Sequence, residues 1–153
     1  MPWVEKTFSE LTVAELYELL ALRERVFILE QTCLYNDLDG LDDRCAHLWT
    51  RSADGSIAAY LRILPPGLAY SEPSLGRVIV AASTRGTGIG RDLMREGLSR
   101  ARAKYGAVPI RIGAQAYLEK FYGDLGFRRA SADYVEDGIA HLEMVAEASA
   151  PTV

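Results

Sequence analysis

The sequence predicts an α/β layered domain with a mixed sheet, and three features carry that expectation. Short β-branched runs alternate with helix-spaced apolar stripes along the whole chain. Asp-Gly pairs punctuate it where hairpins should turn. A strand, a glycine-rich turn and a helix follow one another directly at 77–105.

Taken in order, the first helix should start at Thr12, because Thr12 and Glu15 have capping-box spacing. Leu16, Leu19, Leu20, Val26 and Phe27 then form its apolar stripe. The segment 30–45 changes character to Gln, Tyr, Asn, four aspartates and a glycine, and reads as loop or short helix. Residues 46–52 and 57–64 read as strands joined across Asp54-Gly55, and Pro65-Pro66-Gly67 ends the second. A polar connection to Ser74 leads to a buried strand over 77–82. In the next helix Ile89, Leu93, Gly97, Leu98 and Ala101 mark the inner face, and Gly106 and Pro109 close it. A strand at 110–114, a helix from Ala116 to Leu125 stopped by Gly126, and two strands around Asp137-Gly138 complete the order. The tail after about Ala146 reads as a frayed end.

At 153 residues the chain is one domain's worth, and 49% hydrophobic with 25% charged residues is ordinary globular composition. A net charge of −4 makes nucleic acid a poor partner, because phosphate binding needs a clustered basic face. No apolar run approaches the roughly 18 residues of a membrane span, and no leader pattern opens the chain, so a cytoplasmic protein is expected. Cys33 and Cys45 are expected as reduced thiols, and no metal site is read.

The glycine turn is the chemical feature. Helix-start N–H groups lack internal partners and the helix dipole favours negative charge there, so a strand–turn–helix of this kind suits a phosphate. Arg85 and Arg91 bracket it. No lysine follows Gly90, which rules out a P-loop, and Gly86-x-Gly88-x-Gly90 is one residue short of the dinucleotide fingerprint. A calcium loop at Asp37-x-Asp39-Gly40 fails in the EF-hand frame, which sets Tyr35 and Ala46 at liganding positions. A cysteine nucleophile at Cys45 finds no supporting signature.

Arg85-x-x-Gly88-x-Gly90, the preceding strand Val78–Val80 and Phe121-Tyr122-Gly123-Asp124-Leu125-Gly126-Phe127 resemble the GCN5-related N-acetyltransferases, the GNAT superfamily. Leu22-Arg23, Val26-Phe27, Glu30-Gln31-x-Cys33-x-Tyr35, Asp39-Gly40-x-Asp42, His47, Gly76-Arg77-Val78, Ala114-Gln115 and Asp137-Gly138-Ile139-x-His141 resemble its ElaA-like branch. The resemblance implies a single three-layer α/β/α domain with a mixed, mostly antiparallel sheet. It implies an acetyl-CoA-dependent N-acetyltransferase acting by direct attack of an amine in a ternary complex. The pyrophosphate would sit on Arg85, Gly86, Thr87, Gly88, Ile89, Gly90 and Arg91. The pantetheine arm would run along Val78, Ile79 and Val80 and meet Gln115. Tyr122 matches the tyrosine that serves as general acid.

Many relatives carry a glutamate on the strand before the turn as the general base, and this chain has none there. Glu30, Asp37, Asp39, His47 and His141 are the remaining candidate bases. The acceptor, a small-molecule amine or a peptide or protein amine, is left open. The acidic segments 30–45 and 133–138 lean the expectation towards a polycationic amine. The alternative is a non-catalytic module that binds or senses acyl-CoA.

Overall fold

Two faces of apolar side chains on one set of strands decide the architecture. In the computed structural model, which describes residues 2–148, the elements run β1 (Trp3–Thr7), α1 (Val13–Arg23), β2 (Ala46–Arg51), β3 (Ile57–Leu64) and β4 (Ser74–Val80). Then follow α2 (Ile89–Tyr105), β5 (Ile110–Gln115), α3 (Glu119–Gly123), β6 (Phe127–Arg129), β7 (Tyr134–Glu136) and β8 (Ile139–Ala146). Successive strand residues point to opposite faces. Leu48 and Leu61 therefore pack with Leu93, Met94 and Leu98 of α2, while Trp49 and Tyr60 pack with Leu19 and Leu22 of α1; a register shift in β4 puts Leu75 in the first group and Ile79 in the second. Helices cover both sheet faces, giving three layers. Among the described residues no helix is long and apolar enough to cross a membrane.

Strands β1 to β4 form one antiparallel sheet in chain order, and β5, β8 and β6 form a second, with β7 also pairing β8. The connection through α2 sets β4 beside β5. Arg111 N–H donates to the Pro73 carbonyl (3.1 Å) at one end, but β4 and β5 belong to different ladders. The edge of β4 is left open towards its glycine-turn end.

Local chemistry accounts for the elements. The Thr12 hydroxyl accepts from Glu15 N–H (3.0 Å) and Glu15 accepts from Thr12 N–H (2.9 Å), so the expected capping box starts α1. Gly97 sits mid-helix because a Cβ there would lie 2.8 Å from a Leu61 methyl; its absence lets α2 lie close on β3. The Asp137-Gly138 turn has φ of +52° and +76°, as a tight hairpin of primed type requires.

Five features differ from the expectation. Strand β1 precedes the first expected element; it is an edge strand whose Glu5 and Lys6 weaken its apolar alternation. After α1 the helix widens into a π-helical stretch over Glu24–Glu30, with Gln31 N–H donating to Val26 C=O (3.2 Å). Strand β4 begins at Ser74, whose side chain is buried. The helix expected from Ala116 opens as a single 3₁₀ turn and its α-helical part ends at Gly123. The region after Phe127 makes three strands, because Ser131 breaks the first by accepting from Glu143 N–H (2.8 Å). Strand β8 ends at Ala146, where fraying was expected to start; residues 149–153 lie outside the described ones.

Candidate active site

A cleft of about 1200 Å³ opens where β4 and β5 part. Its walls come from β4, the glycine turn, the start of α2, β5, α3, the π-helical stretch and the β7–β8 turn. Val78, Ile79, Val80, Arg85, Gly86, Gly88, Ile89, Gly90, Arg91, Gln115 and Tyr122 all line it, so distant sequence expectations meet in one space.

The glycine turn is shaped for close approach. Gly86 and Gly88 have φ of +83° and +86°, and a Cβ on either would meet no atom within 4 Å. Gly88 is the N-cap of α2 and provides no capping side chain, which leaves the first N–H groups of the helix to a ligand. Gly90 answers a different need: a Cβ there would press on Val80 (3.3 Å) and touch Phe121 (3.6 Å). Arg85 donates from Nε to the Val80 carbonyl (3.1 Å) and from Nη2 to Glu30 (2.6 Å). Arg91 lies 5.9 Å over the Phe121 ring. Thr87 does not line the cleft; its hydroxyl donates to the Thr84 carbonyl (2.6 Å) and closes the turn.

On β4, two residues, Arg77 and Val78, stand opposite the single Leu61, and Arg77 has φ +49°. This bulge breaks the ladder and turns strand backbone towards the cleft. Tyr122, 6% exposed, meets the rings of Phe121 and Phe127 edge-on (centroids 5.1 and 5.9 Å). Burial, with a smaller contribution from Tyr117, pushes its phenol up to about 12.

The candidate bases separate. His47 is 1% exposed, and both ring nitrogens are taken, Nδ1 by the Tyr60 hydroxyl (2.8 Å) and Nε2 by the Asp42 carbonyl (3.0 Å). Burial lowers its pKa, so it is a neutral structural residue and not a base for the cleft. Asp37 and Asp39 belong to a closed ring of alternating charge. Arg23 meets Asp42 (2.7 Å), Asp42 meets Arg62 (3.0 Å), Arg62 meets Asp39 (2.5 Å), Asp39 meets Arg77 (3.3 Å), Arg77 meets Asp37 (2.8 Å) and Asp37 meets Arg23 (2.9 Å). Asp37 does not line the cleft; Asp39, Glu30 and His141 do.

The expected acidic field is correspondingly reduced. Glu30, Asp37, Asp39, Asp42, Asp43 and Asp133 each pair with an arginine, which leaves Glu136 and Asp137 at the cleft. Paired carboxylates project little net charge, so the structure removes the argument for a polycationic acceptor.

Comparison with known proteins fits this geometry. The acetyltransferase (GNAT) domain family matches residues 9–148. The chain belongs to the GNAT acetyltransferase family. Protein ElaA of Escherichia coli is 39% identical over 148 residues, covering 95% of each chain. The crystal structure of Escherichia coli ElaA superposes with a TM-score of 0.87 at 38% identity, over 95% of this chain and 99% of that one. An acyl-CoA N-acyltransferase from Pseudomonas aeruginosa superposes with a TM-score of 0.88 at 38% identity, with the same coverage. GNAT membership makes this an ElaA-like chain of an acyl-CoA-dependent acyltransferase family.

The charge ring is what sequence reasoning missed in this GNAT domain. Arg23 interrupts the inner stripe of α1, and Arg62 interrupts a strand whose every residue is buried. An arginine at a core position calls for a carboxylate partner, and the aspartates of 37–42 were the only dense supply nearby. The ring also predicts acid behaviour. Burial pushes the Asp39 carboxyl up, but Arg62, with help from Leu41 N–H and Arg77, outweighs it and holds the group at about 2, below the ordinary 3.8. Asp42 is likewise held low by Arg23 and Arg62 against its burial. A depressed folded pKa gives stability that is complete above the unfolded value and lost as pH falls through the folded one. The melting temperature should therefore fall progressively between about pH 4 and pH 2, and Asp39→Asn should flatten that slope. An unchanged slope in the variant would remove Asp39 from the acid response.

Proposed function

We propose that the chain is a single-domain, acetyl-CoA-dependent N-acetyltransferase that moves an acetyl group to a primary amine by direct attack in a ternary complex. The observation that carries this reading is the cleft itself: an open β4 edge, a glycine turn with free helix-start N–H groups, and Tyr122 on one lining. The turn from Arg85 to Arg91 would hold the pyrophosphate. Val78 to Val80 would pair with the pantetheine arm as an added strand, and Gln115 would face that arm from β5. Backbone N–H groups at the Arg77–Val78 bulge would stabilise the oxyanion. Tyr122 would donate to the departing sulfur. The expected setting is the cytoplasm.

The absence of a carboxylate on β4 favours a second reading, a module that binds acyl-CoA without turnover. One experiment separates the two. The protein is incubated with acetyl-CoA and a panel of primary amines, and free thiol is followed. Amine-dependent thiol release supports the enzyme; acetyl-CoA binding with no release under any amine leaves only the binding module.

Binding has its own test. Acetyl-CoA at about 100-fold over its dissociation constant should stabilise the protein by about 2.7 kcal/mol. Gly88→Asn keeps a residue type that tolerates the left-handed conformation but fills the open space at the turn. The ligand-induced melting shift should vanish in this variant while the unliganded protein still melts cooperatively. A persisting shift would place the cosubstrate elsewhere.

A further inference from the structure

Acetyl transfer to an ammonium substrate needs a group that takes a proton, and the carboxylates expected for that role, Glu30, Asp37 and Asp39, are each paired with arginine. Glu30 is bound to Arg85, and Asp39 to Arg62 and Arg77. His141 is placed differently. It lies on β8 between two partners, with Gln115 of β5 on one side and Tyr134 of β7 on the other. It is 8% exposed, and it lines the cleft.

Its surroundings fix the ring. Nδ1 is 2.8 Å from the Ile139 carbonyl. A carbonyl oxygen only accepts, so Nδ1 carries the hydrogen and Nε2 of the neutral ring carries the lone pair. The Tyr134 ring stacks on the imidazole (5.9 Å between centroids, 24° between planes) and holds its plane. Nε2 lies 3.7 Å from Glu136 Oε2, too far for a hydrogen bond. Two acceptors at that spacing leave room for one nitrogen at about 2.8 Å from each.

We infer that His141 is the general base of the acetyl transfer, receiving a proton from the acceptor ammonium at Nε2. Glu136 and Tyr134 are positioning residues: the carboxylate draws the ammonium in and then faces the imidazolium, and the phenol ring fixes the plane. The inference rests on the proposed acetyl transfer. In balance, the ammonium gives one proton to His141, and the freed amine forms the C–N bond as the C–S bond breaks. The second nitrogen-bound proton replaces the one that Tyr122 gives to sulfur. His141 then returns its proton to solvent. The titratable groups on the segments packed around His141 are Tyr134 and Glu136 on β7, Asp137 in the turn and Tyr117 beyond β5, while β6 pairs with β8 only from Met144 onward.

The test compares wild type with His141→Gln and His141→Ala, using a simple primary amine, acetyl-CoA and free-thiol release across pH. His141→Gln keeps a donor for the Ile139 carbonyl, and its acetyl-CoA melting shift reports an intact cosubstrate site. At neutral pH its kcat should fall about 10²-fold. The deficit should shrink as pH rises and the amine loses its proton unaided. Added imidazole should restore His141→Ala saturably, by about 10-fold or more. A kcat within about threefold of wild type in His141→Gln overturns the assignment. So does a deficit that is constant with pH and indifferent to imidazole, because it marks a packing role. A wild type that never releases thiol on addition of amine sinks the acetyl-transfer reading, and this inference with it.

Discussion

Replacing Arg23 by methionine is expected to destabilise the fold by about 3–5 kcal/mol. Arg23 is 1% exposed and reaches three acceptors: Asp37 Oδ2 (2.9 Å), the Asp37 carbonyl (2.9 Å) and Asp42 Oδ1 (2.7 Å). Methionine matches much of its length and none of its charge. The ring would then hold three carboxylates against two guanidinium groups, with the side chains of Asp37 and Asp42 only 10% and 12% exposed. Removing a whole buried pair costs far less than removing one member. The double variant Arg23→Met/Asp42→Asn should therefore lose less than the sum of the two single losses, since both act on one network. Denaturant unfolding of the four proteins measures the coupling. Strict additivity would mean that the ring is a set of independent contacts.

The ring also connects stability to the cleft. It ties α1, the 37–42 segment, β3 and the β4 bulge through six side chains. Arg77 is its member on the bulge. A non-glycine residue at φ +49° is strained, and its guanidinium is fixed by Asp37 and lies 5.4 Å over the Tyr35 ring. The same contacts that neutralise the acidic segment therefore hold the strand backbone that faces the expected thioester.

Legibility in the sequence followed the range of the interactions. The capping box at Thr12, the Asp-Gly turns, the inner face of α2 and the glycine turn are local patterns, and each was read at its place. Strand β3 was bounded correctly because a fully buried run ends sharply at Pro65. Edge strand β1 and the break at Ser131 depend on partners elsewhere in the chain, and the π-helical widening after α1 keeps the apolar spacing of a helix, so no periodicity announces them. At the cleft, residue types were legible and their partners were not. Eight acids in two segments look like an electrostatic field until the arginines that meet six of them are placed. His141 and His47 are alike in sequence; the bonds at their ring nitrogens separate them.

The second large effect is expected at Tyr122. Tyr122→Phe preserves the ring and its edge contacts with Phe121 and Phe127, so the fold and acetyl-CoA binding should change little. Only the hydroxyl is lost. With its pKa raised to about 12 by burial, the phenol stays protonated across the working range and is always ready to donate. An ordinary thiol has a pKa of about 8.5, so full transfer to a free thiolate would run uphill by about 3–4 units. In the proposed reaction Tyr122 would therefore help most while the C–S bond is breaking, by a hydrogen bond to sulfur as its charge grows, its proton passing over as the amine's second proton replaces it. An interaction made only in the transition state acts on kcat rather than on affinity. Turnover in Tyr122→Phe should fall about 10²-fold or more, equivalent to about 2.7 kcal/mol of barrier, with the acetyl-CoA melting shift retained. Steady-state kinetics on the same amine acceptor, read beside that melting shift, decide the matter. Wild-type turnover in the variant would leave Tyr122 as a packing residue between two phenylalanines.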